Sequence, residues 1–184
     1  MSETKNVKGT VIKFAGDIPK YSRPELERRW LVDPKQIAQL DKTLIYKIWD
    51  TYYFDSRMRL RKAVEADGVT TIFKLCKKYG LESRGSDPTT SIYLSLDEYE
   101  FFSSLSGAKI EKQRFLVTDQ GEDFLLDIYQ GTLNGLAVAE REYSTKDQLL
   151  KARSPSFALR EITGEEKFSG ASIAFHGKPA SADS

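Results

Sequence analysis

From Glu25 onward the chain alternates apolar and polar residues with a period of two, in short runs. A period of two places successive side chains on opposite faces of a strand. Eight runs carry the pattern: Glu25–Val32, Lys47–Phe54, Arg57–Arg61, Val69–Leu75, Ser91–Ser95, Ala108–Val117, Asp123–Tyr129 and Leu136–Tyr143. Most are rich in β-branched and aromatic residues, which suit a pleated, half-buried surface. Asp55-Ser56, Asp67-Gly68, a polar loop from Gly80 to Pro88 and Gln120-Gly121 punctuate them as turns. Three short helices are predicted between strands. Asp33-Pro34 caps one over residues 34–41, Ser95 with Glu98 caps Asp97–Leu105, and Thr145 with Gln148 caps Lys146–Arg153. Many strands and few helices predict a mainly β (α+β) fold, an antiparallel sheet or barrel with peripheral helices. Residues 1–20 read as a polar lead-in with a short strand at Thr10–Phe14, residues 21–176 as the folded domain, and 177–184 as a disordered tail.

The charges on these strands are sorted. Residues i and i+2 share a face, so Glu25, Glu27 and Arg29 lie together, as do Arg57, Arg59 and Arg61. Lys112 and Arg114 form another pair, Glu140 and Glu142 a third, and Asp127 is a lone acid in an apolar strand. Most charged strand faces are simply solvated, and an open sheet with one wet side also suits the pattern. A solubility face would mix its signs, however. Rows of one sign repel unless something neutralises them. A closed barrel with a wet lumen gives such rows a use. Carboxylates supply hard oxygen ligands for Mg²⁺ or Mn²⁺, and arginines and lysines clamp phosphate oxygens.

Bulk composition narrows the classes. The 184 residues carry 28 Lys and Arg against 27 Asp and Glu, so a net charge of +1 gives no long-range attraction to nucleic acid or membrane. One cysteine, Cys76, excludes an intramolecular disulfide, and one histidine, His176, leaves no His-based triad or His-rich metal site. No leader-like apolar core opens the sequence and no apolar stretch reaches bilayer length, so a cytoplasmic protein is expected. Cys76 reads as a half-buried strand residue. Lys74, Lys77 and Lys78 with Tyr79 read as a solvated hairpin end, and Trp49, Tyr52, Tyr53 and Phe54 as barrel packing. No Gly-rich phosphate loop is present, so a phosphate site would have to be built from side chains.

The segment Glu25-Leu-Glu-Arg-Arg-Trp-Leu-Val32 resembles the Glu-x-Glu-x-Lys signature of the CYTH, or triphosphate tunnel metalloenzyme, superfamily. The resemblance continues in chain order. Arg59-Leu-Arg61 is similar to its Arg-x-Arg strand, Lys74 to the following lysine strand, and Glu111-Lys-Gln-Arg114 to its Lys-x-Arg strand. Leu126–Gly131 and Leu136–Tyr143 resemble its later acidic strands, and Arg160-Glu-Ile-Thr163 with Lys167-Phe168 its closing segment. The resemblance covers residues 21–175. It implies a closed antiparallel tunnel of about eight strands. It also implies a metal-dependent hydrolase of inorganic triphosphate or a related organic triphosphate.

On that resemblance Glu25, Glu27 and Arg29 would be catalytic. Arg59, Arg61, Lys74, Lys112, Arg114 and Lys167 would bind substrate, and Glu25, Glu27, Asp127, Glu140 and Glu142 would hold Mg²⁺ or Mn²⁺. The partner would be a triphosphate-containing small molecule or polyphosphate, with no nucleic acid or membrane. The chain departs from the pattern at Arg29, where the family has lysine, and at Thr89, Ser91 and Leu125, where many members have acids. Lys167-Phe168-Ser169-Gly170 replaces the closing Arg-Tyr-x-Asn. The missing acids leave open a non-catalytic (poly)phosphate-binding module. Adenylate cyclase is a third alternative, although no nucleobase pocket is legible.

Overall fold

The computed structural model of the chain describes residues 19–80 and 86–182. The lead-in up to residue 18, with the expected strand at Thr10–Phe14, lies outside the described residues. Among the described residues nine strands form one antiparallel sheet: β1 (Arg23–Val32), β2 (Thr43–Tyr53), β3 (Met58–Glu65), β4 (Thr71–Lys78), β5 (Ser86–Tyr93), β6 (Gly107–Asp119), β7 (Glu122–Tyr129), β8 (Ala137–Glu142) and β9 (Ala158–Glu161). The order β5-β4-β3-β2-β6-β7-β8-β1 closes through pairing of β1 with β5, giving the expected eight-strand barrel. β9 is an addition that pairs with the end of β1 at Trp30–Val32. Closure leaves no exposed edge among the eight strands.

All eight expected strands form. Their ends move by a few residues, because pairing continues past the local signal. β4 extends to Lys78 where the sequence suggested a hairpin end, and β5 begins at Ser86 inside the expected loop. The turn at Gln120-Gly121 has positive φ at both residues (52° and 78°), the twist a tight hairpin needs.

The outer face of the barrel is apolar and covered in two places. Trp30, Phe124 and Phe157 meet edge to face, with Val32, Leu126 and Ala139 beside them and Ile37 and Leu40 packed over them. Ile37 ends α1 (Pro34–Ile37), whose N-cap Asp33 accepts from the Lys35 amide. On the other side α2 (Leu96–Ser103) lays Tyr99 and Phe102 on Tyr53, Leu60 and Leu75. The expected Ser95–Glu98 capping box starts that helix. Tyr53 Oη donates to the Phe102 carbonyl at 2.8 Å, and Phe73 stacks on Tyr99. The third expected helix, α3 (Lys146–Lys151), is capped by Thr145.

One end of the barrel is plugged. Leu31, Ile110, Tyr129 and Val138, all of tunnel-facing parity, pack against Phe168 and Ile173. Phe168 ends a 3₁₀ turn at Glu166–Phe168, and Ile173 lies on α4 (Gly170–His176). The sequence reading missed α4. It is seven residues long, begins with glycine and buries one large apolar side chain, so only the Ser169 cap signals it. Of the expected tail, residues 177–182 are described and 183–184 lie outside the described residues. Ala180–Ala182 forms a 3₁₀ turn and the Ala182 methyl joins the same apolar cluster. A methyl group is enough where an apolar layer already exists, and the search for large anchors overlooks it. Among the described residues no helix is long and apolar enough to cross a membrane.

Candidate active site

Strand register assembles the tunnel. β1 sets Glu27 opposite Glu142 and Arg29 opposite Glu140 on β8. β6 sets Arg114 opposite Asp127 and Lys112 opposite Tyr129 on β7. β3 sets Arg61 opposite Asp50 on β2 and opposite Lys74 on β4, and sets Arg59 opposite Cys76. Directly opposed residues share a face. The acidic and basic rows read from the sequence therefore lie on the inner face of one closed sheet, except Arg57, which precedes β3 and is exposed. The outer residues between them, such as Trp30, Leu60 and Leu126, are buried under the coverings described above.

The expectation that sorted rows need an external partner is corrected. Arg29, Arg61 and Arg114 each face an acid on a neighbouring strand, and several charges pair across strands. Arg61 donates two hydrogen bonds to Asp50, each 2.7 Å, and Arg59 Nε lies 3.9 Å from the same carboxylate. Lys112 Nζ meets Asp127 at 2.5 Å, and Arg114 bridges Asp127 and Glu140. Lys78 pairs with Glu25 at 2.8 Å. Burial alone would raise the pKa of Asp50, yet Arg61 and Arg59 outweigh it and hold the carboxyl far below its usual range. Burial likewise opposes the charge on Asp127, and Arg114 with Lys112 holds it low. Burial pushes the Lys112 ammonium down despite Asp127.

Four side chains are engaged less fully: Glu27, Glu142, Arg59 and Lys74. Glu27 and Glu142 have no cation within 4 Å among the described residues. They face each other in register. Burial and then the neighbouring Glu140 raise the pKa of both, and Glu25 adds to each. Arg59 Nε is buried without a hydrogen-bond partner, while its Nη2 donates to Cys76 Sγ at 3.3 Å. Lys74 has no carboxylate within 4 Å and sits over the Tyr93 ring at 4.8 Å.

These facts test the expected metal set. Among the described residues no group of three or more His, Cys, Asp or Glu side chains converges as a ready-made metal cage. Both Asp127 oxygens accept hydrogen bonds from cations, Glu140 is shared with Arg114, and Glu25 with Lys78. The uncompensated pair Glu27 and Glu142 does fit Mg²⁺ or Mn²⁺. Such hard cations, Mg²⁺ above all, bind through one or two carboxylates and take further oxygens from water and substrate phosphate. The departures from the family pattern have definite places. Leu125 is half-buried opposite Glu140, Ser91 bonds Cys76 at 2.9 Å, and Thr89 pairs with Lys78 in register.

Lys167 stands apart from the tunnel charges. It lies on the turn before the plug, is more than half exposed and pairs with Glu165, while Phe168 takes the inward position. Arg29 is held from the plug, its Nη1 donating to the Phe168 carbonyl at 2.9 Å.

The sequence reading missed Asp50, Lys78, Tyr52 and Tyr129 as tunnel residues. Asp50 is a lone acid in an aromatic strand, the same signal that singled out Asp127. Lys78 continues the i+2 series of Lys74 and Cys76. Tyr52 and Tyr129 carried no signal beyond parity. Burial, with no cation strong enough to offset it, raises both phenols. Two surface clefts of about 240 and 260 Å³, at the β6–β7 turn and beside α3, include none of the tunnel charges.

No protein-family model and no curated protein matches the chain. Solved structures do. Two crystal structures of NE1496, one described as a hypothetical protein and one as an inorganic triphosphatase, align at 20% identity and a TM-score of 0.52. Each alignment covers 82% of this chain, and 97% and 93% of the respective NE1496 chains. At that identity the likeness shows the fold alone: the chain, a closed eight-strand antiparallel barrel, is similar in fold to the NE1496 structures.

Proposed function

We propose that this chain is a CYTH-type tunnel hydrolase that cleaves inorganic triphosphate or a related organic triphosphate with Mg²⁺ or Mn²⁺. The observation that carries the reading is the uncompensated Glu27–Glu142 pair beside rows of arginine and lysine in one closed barrel. The barrel that the chain shares with an inorganic triphosphatase supports it.

The residues divide the work. Arg59, whose Nε has no hydrogen-bond partner, and Lys74, with no carboxylate partner, are the donors that would take an incoming phosphate. Arg61, Lys112 and Arg114 are held by Asp50 and Asp127, so a triphosphate engages them by exchanging carboxylate for phosphate partners. That exchange frees Asp127 and Glu140 next to Glu27 and Glu142. Triphosphate and divalent cation should therefore strengthen each other's binding. Glu27 and Glu142, joined by Glu25 and Glu140, would hold the metal, which supplies charge neutralisation on the phosphate oxygens. Arg29 keeps its proton, because a guanidinium does not act as a base, and its charge attracts Glu27 and Glu140. Water adds to the terminal phosphorus, the bridging P–O bond breaks, and phosphate and the shortened chain leave. The expected setting is the cytoplasm.

A phosphate-release screen over inorganic triphosphate, polyphosphate, ATP and thiamine triphosphate, with and without Mg²⁺ or Mn²⁺, tests the proposal. Turnover should require metal and disappear in Glu27→Ala and Arg59→Ala. An inert wild-type protein overturns it. The second reading, a non-catalytic (poly)phosphate-binding module, is favoured by Leu125 at an acid position and by the engaged oxygens of Asp127. Calorimetric binding without phosphate release would select it.

A further inference from the structure

One row of opposed residues climbs from the tunnel interior to its mouth. Asp50 on β2 faces Arg61 on β3, Arg61 faces Lys74 on β4, and Lys74 faces Tyr93 on β5. Tilted strands make such rows spiral along a barrel instead of circling it at one level. Exposure follows the climb: Asp50 is 1% exposed, the Arg61 side chain 13%, and Tyr93 73%. Tyr93 is the last residue of β5, at the end away from the plug, and it has the tunnel-facing parity of Ser91 and Thr89.

Its ring is placed for more than packing. Lys74 Nζ lies 4.8 Å from the ring centroid, and the rest of the ring is largely open to solvent. A Tyr that served the fold would bury its ring, as Tyr53 and Tyr129 do. Here an exposed aromatic face and an ammonium without a carboxylate partner stand side by side at the end of a phosphate-binding row. Phosphates that reach Arg61 and Lys74 leave whatever they carry beside that ring.

We infer that Tyr93 is a specificity-determining residue at the tunnel mouth, stacking on a flat heteroaromatic group so that the site prefers a ring-bearing organic triphosphate to inorganic triphosphate. This rests on the triphosphate-binding reading above and sharpens it. Stacking on an aromatic side chain tolerates many rings, because each offers a π-face. The adjoining Lys74 ammonium lies over part of the ring and holds the nearest phosphate, while the rest of the ring stays open to the ligand. The plug at the opposite end gives the substrate one orientation, phosphates inward and ring outward.

Calorimetric titration tests this with ATP, thiamine triphosphate, methyl triphosphate and inorganic triphosphate, in the presence of Mg²⁺. The proteins are wild type, Tyr93→Ala and Tyr93→Phe. The wild type should bind at least one ring-bearing triphosphate more tightly than methyl triphosphate. Tyr93→Ala should weaken that ligand by about tenfold or more and leave methyl and inorganic triphosphate unchanged, and Tyr93→Phe should keep wild-type affinity. Equal loss for every ligand, or no loss for any, overturns the inference while leaving triphosphate binding intact. If the wild type binds no triphosphate, the functional reading itself fails and this inference with it. Thermal midpoints of the variants should match wild type, since the ring is exposed.

Discussion

Glu27 is a carboxylate whose neutralisation should strengthen the ligand-free fold. Glu27→Gln keeps the shape and removes the charge. The side chain faces Glu142 in register, with Glu140 and Glu25 nearby, and the attraction of Arg29 and Lys78 does not offset burial and repulsion. A like-charge pair directly across strands costs about 0.2–1 kcal/mol. Relief of the repulsion from Glu140, with a smaller share from Glu25, should stabilise the variant by roughly 0.5–1 kcal/mol at neutral pH. For a chain of this size that is about 1–4 °C in Tm. The pH dependence follows from the raised pKa. Folded Glu27 holds its proton at higher pH than in the unfolded chain, so the folded state gains as pH falls through the folded pKa towards the ordinary 4.5. The advantage of Glu27→Gln should therefore shrink in mild acid. Urea denaturation of both proteins at neutral and mildly acidic pH, without metal, measures it. A variant destabilised by about 1 kcal/mol or more at neutral pH, or an advantage independent of pH, would refute the reasoning.

The other charges respond differently. Asp50→Asn strands Arg61 and Arg59 in the interior and should cost about 3–5 kcal/mol in urea denaturation. Because the Asp50 pKa is lowered, the wild-type contribution should persist across neutral pH and vanish only as pH falls below 3.8 through the folded value. Mg²⁺ should raise the wild-type Tm, less so in Glu142→Gln, and less as falling pH protonates Glu27 and Glu142. Arg59→Ala should weaken triphosphate binding by about 10- to 100-fold in calorimetry, the worth of charged hydrogen bonds. Gly170→Ala drives a methyl group to within 1.9 Å of the Tyr52 hydroxyl and should cost about 1–3 kcal/mol in thermal denaturation. Adding Tyr52→Phe should recover part of that loss.

The period-two pattern by itself determined a mainly β chain and put the charges of each strand on one face. Glu25, Glu27 and Arg29 share a face because pleating dictates it, whatever their neighbours. The order of short motifs determined the barrel expectation, and the register of all eight strands agrees with it. Which charge meets which was decided only in three dimensions. Asp50 lies eleven residues from Arg61 and Arg114 twenty-six from Glu140, and those pairs depend on a register that closure of the whole sheet sets. The same holds for the plug. Seven residues that bury a single large apolar side chain give a weak helix signal, and only the end of a barrel lined by Leu31, Ile110 and Val138 gives Ile173 a place to be buried. Local chemistry repeats along the chain and is legible there, whereas long-range pairing belongs to the fold as a whole.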